Sequence, residues 1–223
     1  MSVLEPIDDA AAKLDDEEGR GDTSSAESLV SRRPATETWS AVASSELLQL
    51  AKDVALGLHY LHSNGVTHRD VKHANVMTEH GQTVRAKLCD FGLSALKTTT
   101  QEHGAPRSMS SMGTVRYQAP EMTQLMAAGT SSVAVAHHAR VDVYSYGLLL
   151  YEIMHGFIFF GGAVPLKVAI MASSGQRPPI TLRPEHSSLS AVIARCWDAE
   201  AERRPNMRQV VEELSALEAR GLC

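Results

Sequence analysis

A chain of 223 residues with 43% hydrophobic and 21% charged side chains holds enough apolar material for one large globular domain, or one and a half. Its net charge of −5 argues against a nucleic-acid surface, which needs clustered Lys and Arg. Three scattered cysteines, Cys89, Cys196 and Cys223, supply neither a disulfide framework nor a zinc site and fit a reducing compartment.

The first residues have neither the basic nor the apolar region of a secretory signal, so a cytoplasmic protein is expected. Ten Asp and Glu against four Lys and Arg in the first 40 residues give −6 and leave the remainder near +1. Residues 1–43 are therefore expected to be an acidic disordered segment or an insertion, because such a composition cannot offset its ordering entropy by burial. Within it, Arg20-Gly21-Asp22 is read as a chance tripeptide.

From Ser44 the pattern changes. Leu47, Leu48, Ala51, Val54, Ala55, Leu58 and Leu61 recur at three- and four-residue steps and predict a helix, capped by Ser44 or Ser45 and ended at Asn64-Gly65. Val76-Met77-Thr78 and the stretch 83–88 predict two short strands about a turn at His80-Gly81; in the second, Val84, Ala86 and Leu88 alternate with Arg85 and Lys87. Residues 93–113 are polar and aperiodic, a long loop. Helical patterns return at 142–155, 164–173, 189–196 and 207–217, and no internal repeat is present. The apolar run Tyr146–Leu166 is interrupted by Glu152, His155 and four glycines, so it reads as a buried core helix and not a membrane span.

Three signatures follow in order: His68-Arg69-Asp70-Val71-Lys72-His73-Ala74-Asn75 matches H-R-D-x-x-x-x-N, Asp90-Phe91-Gly92 is D-F-G, and Ala119-Pro120-Glu121 is A-P-E. Tripeptides recur by chance, but this set, correctly ordered and spaced, is specific. Over residues 44–218 the chain resembles the C-terminal lobe of a eukaryotic-type protein kinase; residues 219–223 are a tail. Tyr60-Leu61-His62 extends the likeness, as do Asp142-Val143-Tyr144-Ser145-Tyr146-Gly147, Cys196-Trp197 and Arg204-Pro205, and these last point to the tyrosine-kinase-like group. The resemblance implies an α+β fold, mainly α, with short β-hairpins at the catalytic cleft.

It also implies roles. Asp70 accepts or orients the proton of the acceptor hydroxyl, and Lys72 places a cation near the γ-phosphate as charge shifts. Asn75 and Asp90 offer the hard oxygens that Mg²⁺ prefers, and Met77 lies under the adenine of ATP. Lys72, where tyrosine kinases usually carry Ala-Ala-Arg, and Thr114, similar to the substrate-loop threonine of serine/threonine kinases, favour serine/threonine acceptors in protein substrates. Arg69 is expected to pair with a phosphorylated loop residue, with Ser108, Ser110 and Ser111 as candidates. His68, Phe91 and Gly92 are structural by the same likeness, Glu121 and Arg204 resemble the family's buried ion pair, and Asp142 resembles the acceptor for the catalytic loop's backbone. Cys89 reads as a small core residue, and His137-His138 as solvated.

The resemblance departs at the start. No G-x-G-x-x-G followed by Ala-x-Lys occurs; Gly19-Arg20-Gly21-Asp22-Thr23-Ser24 and Ala11-Ala12-Lys13 are in reversed order and acidic surroundings. Ser2–Pro6 is similar to the last strand of the family's small lobe, which would make the acidic segment a hinge-region insertion. The rest of that lobe is expected from upstream sequence or from a partner chain, and without it ATP binding should be weak. The competing expectation is a non-catalytic, pseudokinase-like scaffold.

Overall fold

The computed structural model describes residues 4–6, 44–80, 83–90, 95–96, 115–127, 138–158 and 160–221. In chain order these form β1 (Leu4–Pro6), α1 (Ser44–Ser63), β2 (Val66–Thr67), a 3-10 turn (His73–Asn75), β3 (Val76–His80), β4 (Val84–Leu88), β5 (Ala95–Leu96), α2 (Pro120–Ala127), α3 (His138–His155), α4 (Pro165–Ser173), α5 (Leu189–Cys196) and α6 (Met207–Ala219). The fold is α+β and mainly α.

Helix α1 buries Leu47, Leu48, Leu50, Ala51, Val54, Ala55 and Leu58, while Leu61 of the predicted stripe is only half-buried. It ends where Gly65 takes φ 72°, a left-handed position that glycine adopts without a Cβ clash. Asp53 on α1 is buried and satisfied from several sides: Arg85 donates Nε at 2.8 Å and Nη2 at 3.0 Å, the Ala86 N–H donates at 3.0 Å, and Gln49 Nε2 at 2.8 Å. This carboxylate fastens β4 to α1.

Two sheets result. The first has the order β1-β3-β4, antiparallel throughout, with Pro6 opposite Met77 and Met77 opposite Lys87. The second pairs β2 with β5, Val66 opposite Leu96. Two-residue strands such as these are too short to show alternation, and β5 lies inside the stretch expected to be loop.

Every residue from Val141 to Met154 is buried. A helix buried on all sides shows no amphipathic stripe, and α3 packs against both α1 and α5. It begins at His138, four residues before the expected Asp142. It stops at His155, where Gly156 adopts φ 70°, so the apolar run to Leu166 is a core helix only over its first half. The Tyr146 hydroxyl donates to the Ala51 carbonyl at 3.0 Å, joining α3 to α1. Helix α4 starts on Pro165, whose missing N–H is no loss in a first turn. Helix α6 starts with a capping box, Gln209 N–H to Asn206 Oδ1 at 2.9 Å and Asn206 N–H to Gln209 Oε1 at 2.8 Å. The short α2, absent from the sequence-based expectations, begins inside Ala119-Pro120-Glu121, at Pro120.

Candidate active site

The loop after β2 is held from below by one carboxylate. Asp142, fully buried on α3, accepts the His68 N–H at 2.8 Å, the Arg69 N–H at 2.7 Å and a bond from the His62 imidazole at 2.8 Å. Arg69 stands at φ 69°, a left-handed conformation costing a Cβ-bearing residue about 1–2 kcal/mol. Charge-assisted bonds from a buried carboxylate offset that strain. The Arg69 side chain is exposed.

His68 is fully buried and works through both ring nitrogens. Its Nδ1 accepts the Asp70 N–H at 3.3 Å, so Nε2 carries the hydrogen and donates to the Cys89 carbonyl at 3.2 Å. One imidazole thus ties the loop to the strand end that precedes Asp90.

Asp70 is buried, with the Asn75 side-chain amide donating to its backbone oxygen at 2.7 Å and to Oδ2 at 2.9 Å. Lys72 Nζ lies 3.1 Å from the same Oδ2. Both amide hydrogens of Asn75 being spent on Asp70, its amide oxygen is the atom it can offer a cation. The Cys89 N–H donates to the Asn75 carbonyl at 3.0 Å, which brings the exposed Asp90, at φ 60°, beside Asn75. Burial, and then the Asp90 charge, push the Cys89 thiol up, away from a thiolate. Met77 is half-buried on β3.

The segment leading into α2 closes the other side. Arg116 donates to the carbonyls of Phe160 and Ala163, each at 2.8 Å. Arg204, its side chain wholly buried, donates Nη1 to Glu121 Oε1 at 2.7 Å and Nη2 to Oε2 at 2.8 Å. Its guanidinium also lies 5.0 Å from the centroid of the Tyr144 ring.

The structure therefore brings Asp70, Lys72 and Asn75 together, puts Asp90 one residue past the Cys89–Asn75 backbone bond, and places His68 and Asp142 beneath. Phe91, Gly92, Ser108, Ser110, Ser111, Thr114 and His137 lie outside the described residues. Reasoning from sequence missed His62, His73, Tyr117 and Glu152. The one available signal was Glu152, a carboxylate alone in an apolar run. No group of three or more His, Cys, Asp or Glu able to hold a metal occurs among the described residues, and none of their helices is long and apolar enough to cross a membrane. Mg²⁺ does not require such a cage, since it is usually held by one or two protein oxygens with phosphates and water.

The family model for protein tyrosine and serine/threonine kinases matches residues 27–214. The chain belongs to this family. It is similar to the serine/threonine/tyrosine-protein kinase HT1 of Arabidopsis thaliana, 34% identical over 169 residues, covering 75% of this chain and 39% of that protein. It is 32% identical over 172 residues to the serine/threonine-protein kinase STY17 of the same plant, covering 77% and 27%. It is 36% identical over 175 residues to the dual specificity protein kinase shkC of Dictyostelium discoideum, covering 75% and 31%. The chain thus spans about a quarter to two fifths of the length of these kinases.

Proposed function

We propose that this chain is the catalytic lobe of a protein serine/threonine kinase, which transfers the γ-phosphate of ATP to Ser and Thr hydroxyls of protein substrates. The observation that carries the reading is the cluster on Asp70: a buried carboxylate fixed by Asn75 at 2.9 Å and charge-paired with Lys72 at 3.1 Å. A merely structural Asp would not need a cation and an oriented amide on the same oxygen.

In this reading Asn75 and Asp90 are the residues that would hold Mg²⁺, and Lys72, Asn75, Met77 and Asp90 those that would meet the nucleotide. Bound MgATP supplies the phosphoryl group, with the metal drawing negative charge from its oxygens. Asp70 orients the acceptor hydroxyl and takes its proton at Oδ. Lys72 offsets the charge that builds as the hydroxyl oxygen attacks, and being preset costs no reorganisation at that moment. Asn75 keeps the Asp70 carboxylate from turning. His68 and Asp142 hold the loop's backbone, and Arg69, exposed, would meet a phosphate on Ser108, Ser110 or Ser111. Lys72 and Thr114 support Ser/Thr acceptors, although relatives named as dual specificity kinases are among the similar proteins.

The test is phosphate transfer by the full-length protein from labelled MgATP to a mixed protein acceptor, followed by identification of the modified amino acid. Phosphoserine and phosphothreonine, lost in Asp70→Asn, are expected. Predominant phosphotyrosine would overturn the acceptor assignment. A folded protein that transfers nothing favours the scaffold reading, and the MgATP affinity of the full-length protein separates a lost nucleotide site from a lost base.

A further inference from the structure

Glu152 is the one carboxylate in the continuously buried stretch from Val143 to Met154 of α3, at 6% exposure. A buried carboxylate must find donors. The Tyr117 hydroxyl donates to Glu152 Oε2 at 2.7 Å. His73 Nδ1 is hydrogen-bonded to the Tyr117 hydroxyl and lies 3.4 Å from the same Glu152 oxygen. Because the hydroxyl hydrogen is committed to Glu152, the Tyr117 oxygen accepts and His73 Nδ1 is the donor. That polarity holds for the neutral Nδ1–H imidazole and for the imidazolium alike, so the link is a standing one and not a switch. The far side of Tyr117 is fixed as well, its backbone oxygen accepting the Ser145 hydroxyl at 2.8 Å.

The three residues come from three separate parts of the chain. His73 adjoins Lys72 and lies three residues after Asp70; it opens the 3-10 turn, whose N-cap Lys72 makes no side-chain capping bond. Tyr117 lies three residues after Thr114, between the substrate-loop segment and Ala119-Pro120-Glu121. Glu152 belongs to α3, buried on all sides.

We propose that His73 is a positioning residue, which through Tyr117 and Glu152 locks the loop carrying Asp70 and Lys72 to the segment that presents the acceptor protein. Its catalytic consequence rests on the kinase reading above; the link itself rests on geometry. The side-chain bonds of His73 run to Tyr117 and Glu152, toward the segment after Thr114, so its loss acts on the placement of the acceptor hydroxyl, while the backbone of the turn it shares with Asn75 stays in place. Correct placement of a reacting group is worth orders of magnitude, so a partial loosening should be measurable.

Two readouts on the full-length protein test it. In His73→Ala, kcat/KM for the acceptor protein should fall about tenfold while KM for MgATP stays at the wild-type value. His73→Asn, which sets an amide N–H where Nδ1–H stood, should recover most of the loss, and Tyr117→Phe should reproduce it. Independently of activity, amide hydrogen exchange at residues 115–118 should quicken in His73→Ala and return in His73→Asn, with the His68 and Arg69 amides unchanged. Wild-type exchange at 115–118 in His73→Ala, or KM values for acceptor and MgATP rising together, would overturn the proposal. If exchange responds as stated and the wild-type protein transfers no phosphate, the link stands and the kinase reading falls.

Discussion

The side chain of Asn75 grips Asp70 twice, at the backbone oxygen and at Oδ2, 2.7 and 2.9 Å away. This pairing across five residues makes the 3-10 turn and the preceding loop one rigid piece. Asn75→Ala removes both donors and frees the Asp70 carboxylate to rotate. Phosphate transfer by the full-length protein is expected to drop by about a hundredfold or more, the scale of losing one preorganised polar group in a reacting site. Stability should change by only about 1–3 kcal/mol, the cost of unpaired buried acceptors. Steady-state rates beside a urea titration check this, and an active Asn75→Ala would remove the basis for assigning Asn75 to the site.

The Glu121–Arg204 pair works at a different level. Arg204 is fully buried, so removing its carboxylate partner strands a cation inside the protein. Glu121→Ala is expected to cost about 3–5 kcal/mol. The carbonyls of Asp198, Arg140 and Ala199, which also accept from Arg204, keep it toward the lower end. Arg204→Met in the same background should recover part of the loss by replacing the stranded charge with apolar volume. A double variant no more stable than Glu121→Ala alone would show that the penalty lies elsewhere.

What could be read from sequence follows from how locally each feature is encoded. Helix α1 has one apolar face and one wet one, so Leu47 to Leu58 announce it by period. Helix α3 is buried all round and gives no stripe. Its start at His138 was therefore missed, since His138, Ala139 and Arg140 carry nothing periodic. Asp70, Lys72 and Asn75 were legible because one loop supplies all three within six residues, and Asp90 because D-F-G marks it. The link of His73, Tyr117 and Glu152 spans 79 positions and becomes visible only when α3 crosses behind the loop. β2 and β5, two residues each, fall below the length at which alternation exists.

Gly147 is fixed by a helix crossing. A Cβ there would meet the Cys196 Cβ at 2.8 Å and the Trp197 backbone nitrogen at 3.0 Å. Helix α5 approaches α3 so closely because this position has no side chain. Gly147→Ala is expected to destabilise by about 1–3 kcal/mol, overpacking outweighing the usual helical gain of Ala over Gly. Chemical denaturation should show a lower midpoint with an unchanged slope. A variant as stable as wild type would mean that α5 can retreat freely.

The stability of this lobe should also depend on pH through two histidines, the buried His186 and the half-buried His155. His186 is fully buried and neither ring nitrogen meets a partner among the described residues; burial holds its pKa below the ordinary value. His155 is lowered for the same reason, opposed in part by its Nδ1 bond to the Tyr151 carbonyl at 2.8 Å. A depressed native pKa means that the unfolded chain binds more protons as pH falls below about 6.5, the ordinary value for histidine. The stabilisation is complete above that pH and is lost as pH falls toward the native pKa, with a slope of at most about 1.4 kcal/mol per pH unit for each group. His186→Leu removes one such group and the unsatisfied nitrogens with it. Urea midpoints measured between pH 8 and 5 should fall for wild type and fall less steeply for His186→Leu, the difference between the curves isolating this residue from the carboxylates. Parallel curves across that range would show that His186 does not take up a proton on unfolding and would remove it from the account.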